Sequence, residues 1–293
     1  MSASDGDRLD VRKTYKLYIG GAFPRSESGR SYPVTGRDGE VLARPARASR
    51  KDLRDAVRAA RAAVMGWSGA TASNRGQVLY RVAELMEGRR DQFVKVLYRS
   101  GAAVGEADAE REVAAAIDRW VWYAGWSDKV HHVMGTVNPV AGPYYNFTFP
   151  EPTGVVGVVA PDEPALLGLV SRVAPAIVSG NAVVVLASET RPLAAVTLTE
   201  VLATSDVPGG VVNVLTGRKA ELLPWLAGHM DVNAVDLTGA PEETVAELER
   251  LAAENVKRTV RDSASDWYDD AAQSPYAITA LMEMKTVWHP VGA

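Results

Sequence analysis

Between residues 154 and 255 the chain alternates short, largely apolar runs with stretches of helical periodicity. The runs GVVGVVA (154–160), AVVVLA (182–187), VVNVL (211–215) and AVDL (234–237) are of strand length and rich in valine. A strand apolar on both sides belongs to a sheet covered on both faces, as parallel sheets are. Helical patterns over 166–178, 193–204, 219–227 and 242–255 separate or follow these runs, and Pro224 sits inside the third. Strands joined by helices specify an α/β fold, a doubly wound parallel sheet.

The part before this unit reads as hairpins and helices. Residues 1–14 are polar and read as a flexible lead-in. YKLYIGGAF (15–23) reads as a hairpin with Gly20 and Gly21 supplying positive φ, and 31–41 as a second turning at Asp38-Gly39. Ser49 and Asp52 form a capping-box pattern for a helix reaching about Met65, against which Trp67 packs. Further helices are expected over 74–87, 91–100 and 105–126. The cluster Trp120, Trp122, Tyr123 and Trp126 reads as packing. Residues 133–152 alternate, with turns at Asn138-Pro139 and Gly142-Pro143, and read as two antiparallel strands that leave the body as an arm. Polar, acidic 261–274 reads as a linker. Residues 278–289 read as a last strand, ended by Pro290. The expected units are a main domain from 15–132 with 153–260, and an arm from 133–152 with 275–293.

Composition excludes several functions. The formal charge is −4, with no basic tract or basic–aromatic patch, so nucleic-acid binding is not expected. The apolar runs are too short to span a membrane. The N-terminus lacks the apolar core of a signal peptide, so a cytoplasmic protein is expected. There is no cysteine among the 293 residues, which rules out disulfides and thiolate metal sites in the chain. His131, His132, His229 and His289 lack metal-ligand spacing. Neither a GxSxG elbow nor a GxGxxG fingerprint is present, and Ser263 and Ser265 have no histidine near them in sequence.

Several ordered pieces carry a family resemblance. They are GWSGATASNRGQVLYRVAELMEGRRDQF (66–93), WYAGWSDKV (122–130), GPYYNFTFPEPTGVVGVVAP (142–161), PAIVSGNAVVVLASETRPL (175–193), VPGGVVNVLTG (207–217), LTGA (237–240) and MEMKTVWHP (282–290). Together they resemble the cofactor-binding half, the arm and the C-terminal strand of the aldehyde dehydrogenase superfamily. The resemblance implies a truncated member lacking the catalytic domain. In the family an activated cysteine thiolate attacks the aldehyde carbonyl. A glutamate-containing segment and the catalytic domain follow the helix after the phosphate-facing turn. Here AAENVKRTV (252–260) runs instead into the acidic linker and the last strand. The resemblance therefore implies that nucleophile and general base are both missing, and no catalytic residue is assigned.

The cofactor positions depart from the family pattern as well. Where the family has Trp-Asn after the first strand's proline, with the Asn amide holding the oxyanion, this chain has Asp162 and Glu163, which would repel it. Leu186 stands where a lysine reaches the adenosine ribose. Glu189 keeps the ribose-facing carboxylate position, and helix capping near Pro192 is an equal alternative for it. Gly239 and Ala240 replace the Gly-Ser of the phosphate turn, and Glu242 and Glu243 oppose a phosphate at the next helix. Gly209 belongs to the third-strand signature. Glu189, Gly209, Gly239 and Ala240 are thus the vestigial cofactor-binding candidates. Each lost hydrogen bond to a charged group is worth about 1.5–3 kcal/mol. No cofactor is expected, or NAD or NADP with affinity weakened roughly a hundredfold.

In the family the arm and C-terminal strand dock on the catalytic domain of a neighbouring subunit. This chain keeps both and has no catalytic domain to receive a copy of itself. The resemblance thus implies a catalytically inactive, structural or regulatory subunit that pairs with a full-length aldehyde dehydrogenase paralogue by β-augmentation. The alternatives are a dinucleotide-binding subunit completing a shared active site, a stand-alone cofactor sensor and a decaying gene product. The ordered caps and intact strand patterns weigh against the last.

Overall fold

The computed structural model describes residues 13–261 and 266–292. Gly20 and Gly21 take φ of 62° and 82°, open to glycine at no steric cost. They turn the chain between Ile19 and Ala22, which exchange backbone hydrogen bonds of 3.0 Å. A second hairpin joins β1 (Val34–Thr35) to β2 (Val41–Ala43), turning through Gly39 at φ 80°. The capping box at Ser49 opens α1 (Arg50–Ser68), whose N-cap hydroxyl accepts from the backbone of Lys51 and Asp52. Trp67 lies within this helix rather than beyond it, and its indole N–H donates to the Ile177 carbonyl at 2.7 Å. Then come α2 (Ala72–Glu87), α3 (Arg90–Arg99) and α4 (Glu106–Trp126).

The arm begins later than its sequence pattern suggests, because Val130–Met134 forms a short helix, α5. After it β3 (Thr136–Asn138) pairs antiparallel with β4 (Tyr144–Pro152). The main unit follows as β5 (Val155–Val159), α6 (Leu167–Val178), β6 (Ala182–Leu186), α7 (Leu193–Leu202), β7 (Val212–Leu215), α8 (Lys219–Ala227), β8 (Ala234–Asp236), α9 (Glu242–Ala253) and β9 (Arg258–Val260). The five strands are parallel, in the order β7-β6-β5-β8-β9. Alternate residues serve opposite faces. Val156, Val158, Val183, Val185 and Val214 pack under α2, α4, α6 and α7. Val155, Val159, Val184, Leu186 and Val235 pack under α1, α8 and α9. Tyr18 bridges antiparallel to Val214 and covers the β7 edge.

Two further stretches differ from the sequence expectation. Arg258–Val260 is a fifth strand, where a continuation into the linker was expected. Its side chains are only half-buried, so apolar patterning does not mark it. The last strand, β10, is Met282–Pro290, and Pro275–Thr279 is a helix, α10, with Ser274 as N-cap and Pro275 at its first turn. Residues near α10 belong to the body rather than the arm: Ile278, Leu281 and Met282 are in the main core, with Trp267 and Tyr268 packed against it. Arg119, buried on α4, donates to the carbonyls of Trp267 and Ala272 at 2.9 and 3.0 Å. Ser263 and Ser265 lie outside the described residues. Within the described residues, no helix is long and apolar enough to cross a membrane.

Candidate functional site

In an open parallel sheet, ligands bind outside the carboxyl ends of the strands, where successive connections diverge. Here β5 leads through β6 to β7 on one side, and the chain then crosses to β8 and β9 on the other. The divergence lies between β5 and β8. Its rims are Ala160, Pro161 and Asp162 after β5, and the turn 237–240 after β8.

The rims are pressed together. The Gly239 amide donates to the Val159 carbonyl at 3.0 Å. A methyl group on Gly239 would lie 2.1 Å from the Ala160 carbonyl oxygen, so only glycine permits the approach. Across this seam lies the side chain of Lys219, the first residue of α8 and buried. Its Nζ donates to the Ala160 carbonyl at 3.0 Å, the Gly239 carbonyl at 2.8 Å and Asp162 Oδ2 at 3.1 Å. Asp162 Oδ1 in turn accepts from the Ser188 hydroxyl at 2.6 Å and the Glu189 amide at 3.1 Å. Glu189 accepts from the Lys219 amide at 2.8 Å and from Arg218 Nη1 at 2.6 Å. Glu189 therefore caps α8, not the helix behind Pro192.

A helix N-terminus behind a strand is a ready anion site, since its first amides lack intrahelical partners. Three of these positions carry the chain's own carboxylates. Glu189 holds α8. Pro241 and then Glu242 and Glu243 open α9. The buried Glu112 of α4 accepts from the amides of Leu166 and Leu167 at 2.7 and 3.2 Å, at the start of α6. A pyrophosphate placed here meets carboxylates and an ammonium whose three donors are all taken. The residues present do not fit a dinucleotide.

Burial pushes the Glu112 carboxyl above the usual carboxylate range, the Leu166 and Leu167 amides pull it back, and the charge of Glu163 adds to the rise. A carboxyl with a raised native value contributes stability that is present below its unfolded value of about 4.3 and lost as pH climbs through the native one. Glu112→Gln keeps an acceptor oxygen and removes the titration. Urea unfolding at a series of pH values is expected to show the variant gaining on the wild type as pH rises above about 4.

Of the residues singled out by sequence, Glu189, Gly239 and Ala240 meet around this seam, though Ala240 offers no hydroxyl and packs with its methyl group against the α9 side of the core. Gly209 is corrected to the far end. It precedes the amino end of β7, where a methyl group would lie 2.7 Å from the Gly20 carbonyl oxygen. Strand polarity separates it from the carboxyl-end crevice. Glu163 is exposed, while Leu186 is buried in the core. Sequence reading passed over Lys219, Arg172 and Asp236. Arg172 Nε donates to Asp236 Oδ2 at 2.5 Å, with both side chains buried, and Asp236 Oδ1 accepts from the Thr238 amide and hydroxyl at 3.0 and 2.5 Å. Each had a signal: Arg172 is the lone charge in an apolar helix, Asp236 ends an apolar strand, and Lys219 puts a cation at a helix N-terminus, where the dipole disfavours it.

The second candidate surface is the arm. β10 pairs antiparallel with β4 over its whole length, giving a three-stranded sheet in the order β10-β4-β3. Among the described residues, the outer edges of β10 and β3 have no strand partner. One face carries Val137, Tyr145, Phe147, Phe149 and Val287, with ring centroids 5.3 Å apart for Tyr145–Phe147 and 5.9 Å for Phe147–Phe149. The other carries a polar ladder: Asn138 Nδ2 donates to Asn146 Oδ1 at 2.6 Å and Thr148 Oγ1 at 2.9 Å, and the Thr148 and Thr286 hydroxyls are 2.8 Å apart. Trp288 stands on that face edge-on to Tyr144, exposed to 58%.

Comparison with known proteins gives the family. The model of the Aldehyde dehydrogenase family matches residues 25–264. Retinal dehydrogenase 2 of Gallus gallus is 35% identical over 257 residues, covering 85% of this chain and 48% of that protein. Cytosolic 10-formyltetrahydrofolate dehydrogenase of Mus musculus is 31% identical over 256 residues, covering 86% and 28%. Among solved structures, a putative aldehyde dehydrogenase from Burkholderia cenocepacia superposes with a TM-score of 0.80 at 28% identity, covering 85% of this chain and 50% of that one. An NAD+ complex of aldehyde dehydrogenase from Bacillus cereus gives 0.78 at 25% identity, again covering 85% and 50%. The chain thus spans at most about half the length of these relatives.

Proposed function

This chain belongs to the aldehyde dehydrogenase family, and we propose that it serves as a catalytically inactive subunit that assembles with a full-length aldehyde dehydrogenase through its arm. The observation that carries the reading is the route of the chain after β9. Only residues 261–281 lie between β9 and β10 in the sequence, so β10 joins β4 in the arm sheet while the segment that holds the family's reaction centre is absent. With no cysteine in the sequence, this polypeptide has no thiolate to attack an aldehyde. Among the described residues, the strand ends of the α/β body offer no replacement nucleophile, since Lys219, Asp162 and Glu189 there bond to one another and to backbone.

The arm supports the partnership. Among the described residues, the outer edges of β10 and β3 have no strand partner and expose backbone donors and acceptors, which folded proteins rarely leave bare. Tyr144, Tyr145 and Trp288 are about half exposed on the same small sheet, and such side chains dominate binding energy at interfaces. Adding a strand of another subunit to β10 or β3 satisfies the edge by main-chain hydrogen bonds. The pairing acts on the structure or regulation of the partner. Affinity capture of the tagged full chain from its native cells, followed by mass spectrometry, tests the reading. A full-length aldehyde dehydrogenase at near-stoichiometric yield is expected. Recovery of the chain alone, as a monodisperse monomer, contradicts it.

A further inference from the structure

We infer that the ammonium of Lys219 is a built-in occupant of the crevice between β5 and β8, standing where a doubly wound sheet otherwise takes its nucleotide, and that this crevice accepts neither NAD+ nor NADP+. Lys219 Nζ bonds to the Ala160 carbonyl on one rim and the Gly239 carbonyl on the other, so a single cation stitches the two diverging halves of the sheet. The third donor goes to Asp162, held in turn by the Ser188 hydroxyl and the Glu189 amide. A lysine has three donors and no acceptor, so nothing is left over for a phosphate.

The surroundings match a cation rather than an anion. Two carbonyl oxygens and a carboxylate converge on the ammonium, while Glu189 and Glu112 hold the amides that begin α8 and α6. The start of α9 carries Pro241, which has no amide proton, and then two glutamates. An incoming dinucleotide has to break the Lys219 bonds, separate rims in backbone contact at Gly239 and displace the carboxylates of Glu189 and Glu242 from their pairs with Arg218 and Arg261. Lys219 and its three acceptors all lie in the body of this chain, apart from the arm.

The test uses the purified full chain, with calorimetry and thermal unfolding. Wild type at millimolar NAD+ or NADP+ is expected to give no heat and no shift in Tm. Lys219→Ala, which vacates the ammonium and three methylenes, is expected to lower Tm by several degrees. Propylammonium, the fragment removed, is expected to restore much of the loss, while tetramethylammonium, which has no N–H, does not. Should the alanine variant fail to fold, Lys219→Met keeps the stem and drops the charge, and is expected to melt below wild type. A rise in wild-type Tm with either dinucleotide overturns the inference. So does a Lys219 variant as stable as wild type, or an alanine variant indifferent to propylammonium.

Discussion

Replacing Asp236 with alanine is expected to destabilise the chain by about 3–5 kcal/mol, the range found when one partner of a buried ion pair is removed. The cost arises on two sides. Arg172, only 2% exposed, loses the buried carboxylate to which its Nε donates. The Thr238 amide and hydroxyl also lose their acceptor at the point where the chain leaves β8. Since Thr238 precedes the Gly239 seam, the damage reaches the contact between the β5 and β8 rims. The double variant Arg172→Met with Asp236→Leu is expected to recover much of the loss, because an apolar pair of similar volume avoids the desolvation of both charges. Urea unfolding of the three chains measures both effects, read from the midpoint at constant m value.

The second large effect concerns association. Trp288→Ala is expected to leave unfolding unchanged within about 0.5 kcal/mol, because the ring is mostly in solvent. The same substitution is expected to weaken assembly with the full-length dehydrogenase by about 2 kcal/mol or more, roughly thirtyfold in Kd. Trp288 sits at the far end of β10 against Tyr144, and opposite it in register lies Asn146. A large apolar ring held by its neighbour has little side-chain freedom to lose on binding. Sedimentation of the mixture against wild type separates the two effects, since a variant that had lost its fold would fail both measurements.

The sheet was legible in the sequence because β5, β6 and β7 are apolar on both faces, and a helical spacing lies between each pair. The capping box at Ser49 and the turns at Gly20, Gly39 and Pro143 are local chemistry, and local chemistry is what a single sequence displays best. β9 was not legible: Arg-Thr-Val is short, half-buried and identified only by pairing with β8. The apolar-leaning stretch from Ile278 to His289 masked the end of α10, although Ser274 and Pro275 spell a helix start. At the candidate site the resemblance marked Glu189 and Gly239 but assigned Glu189 no partner at α8. Lys219 bonds to residues about 20 and nearly 60 positions away, and long-range pairings of this kind follow from topology alone. Gly209 failed for the same reason, since only strand direction shows which end of β7 it occupies.

The most direct test of the account is hydrogen exchange along the arm, measured on the isolated chain and again with a captured full-length aldehyde dehydrogenase. Amides of Met282–Pro290 or Thr136–Asn138 are expected to become protected on mixing, while those around Lys219 stay as they were. Arm amides whose exchange is unchanged by that dehydrogenase would contradict it.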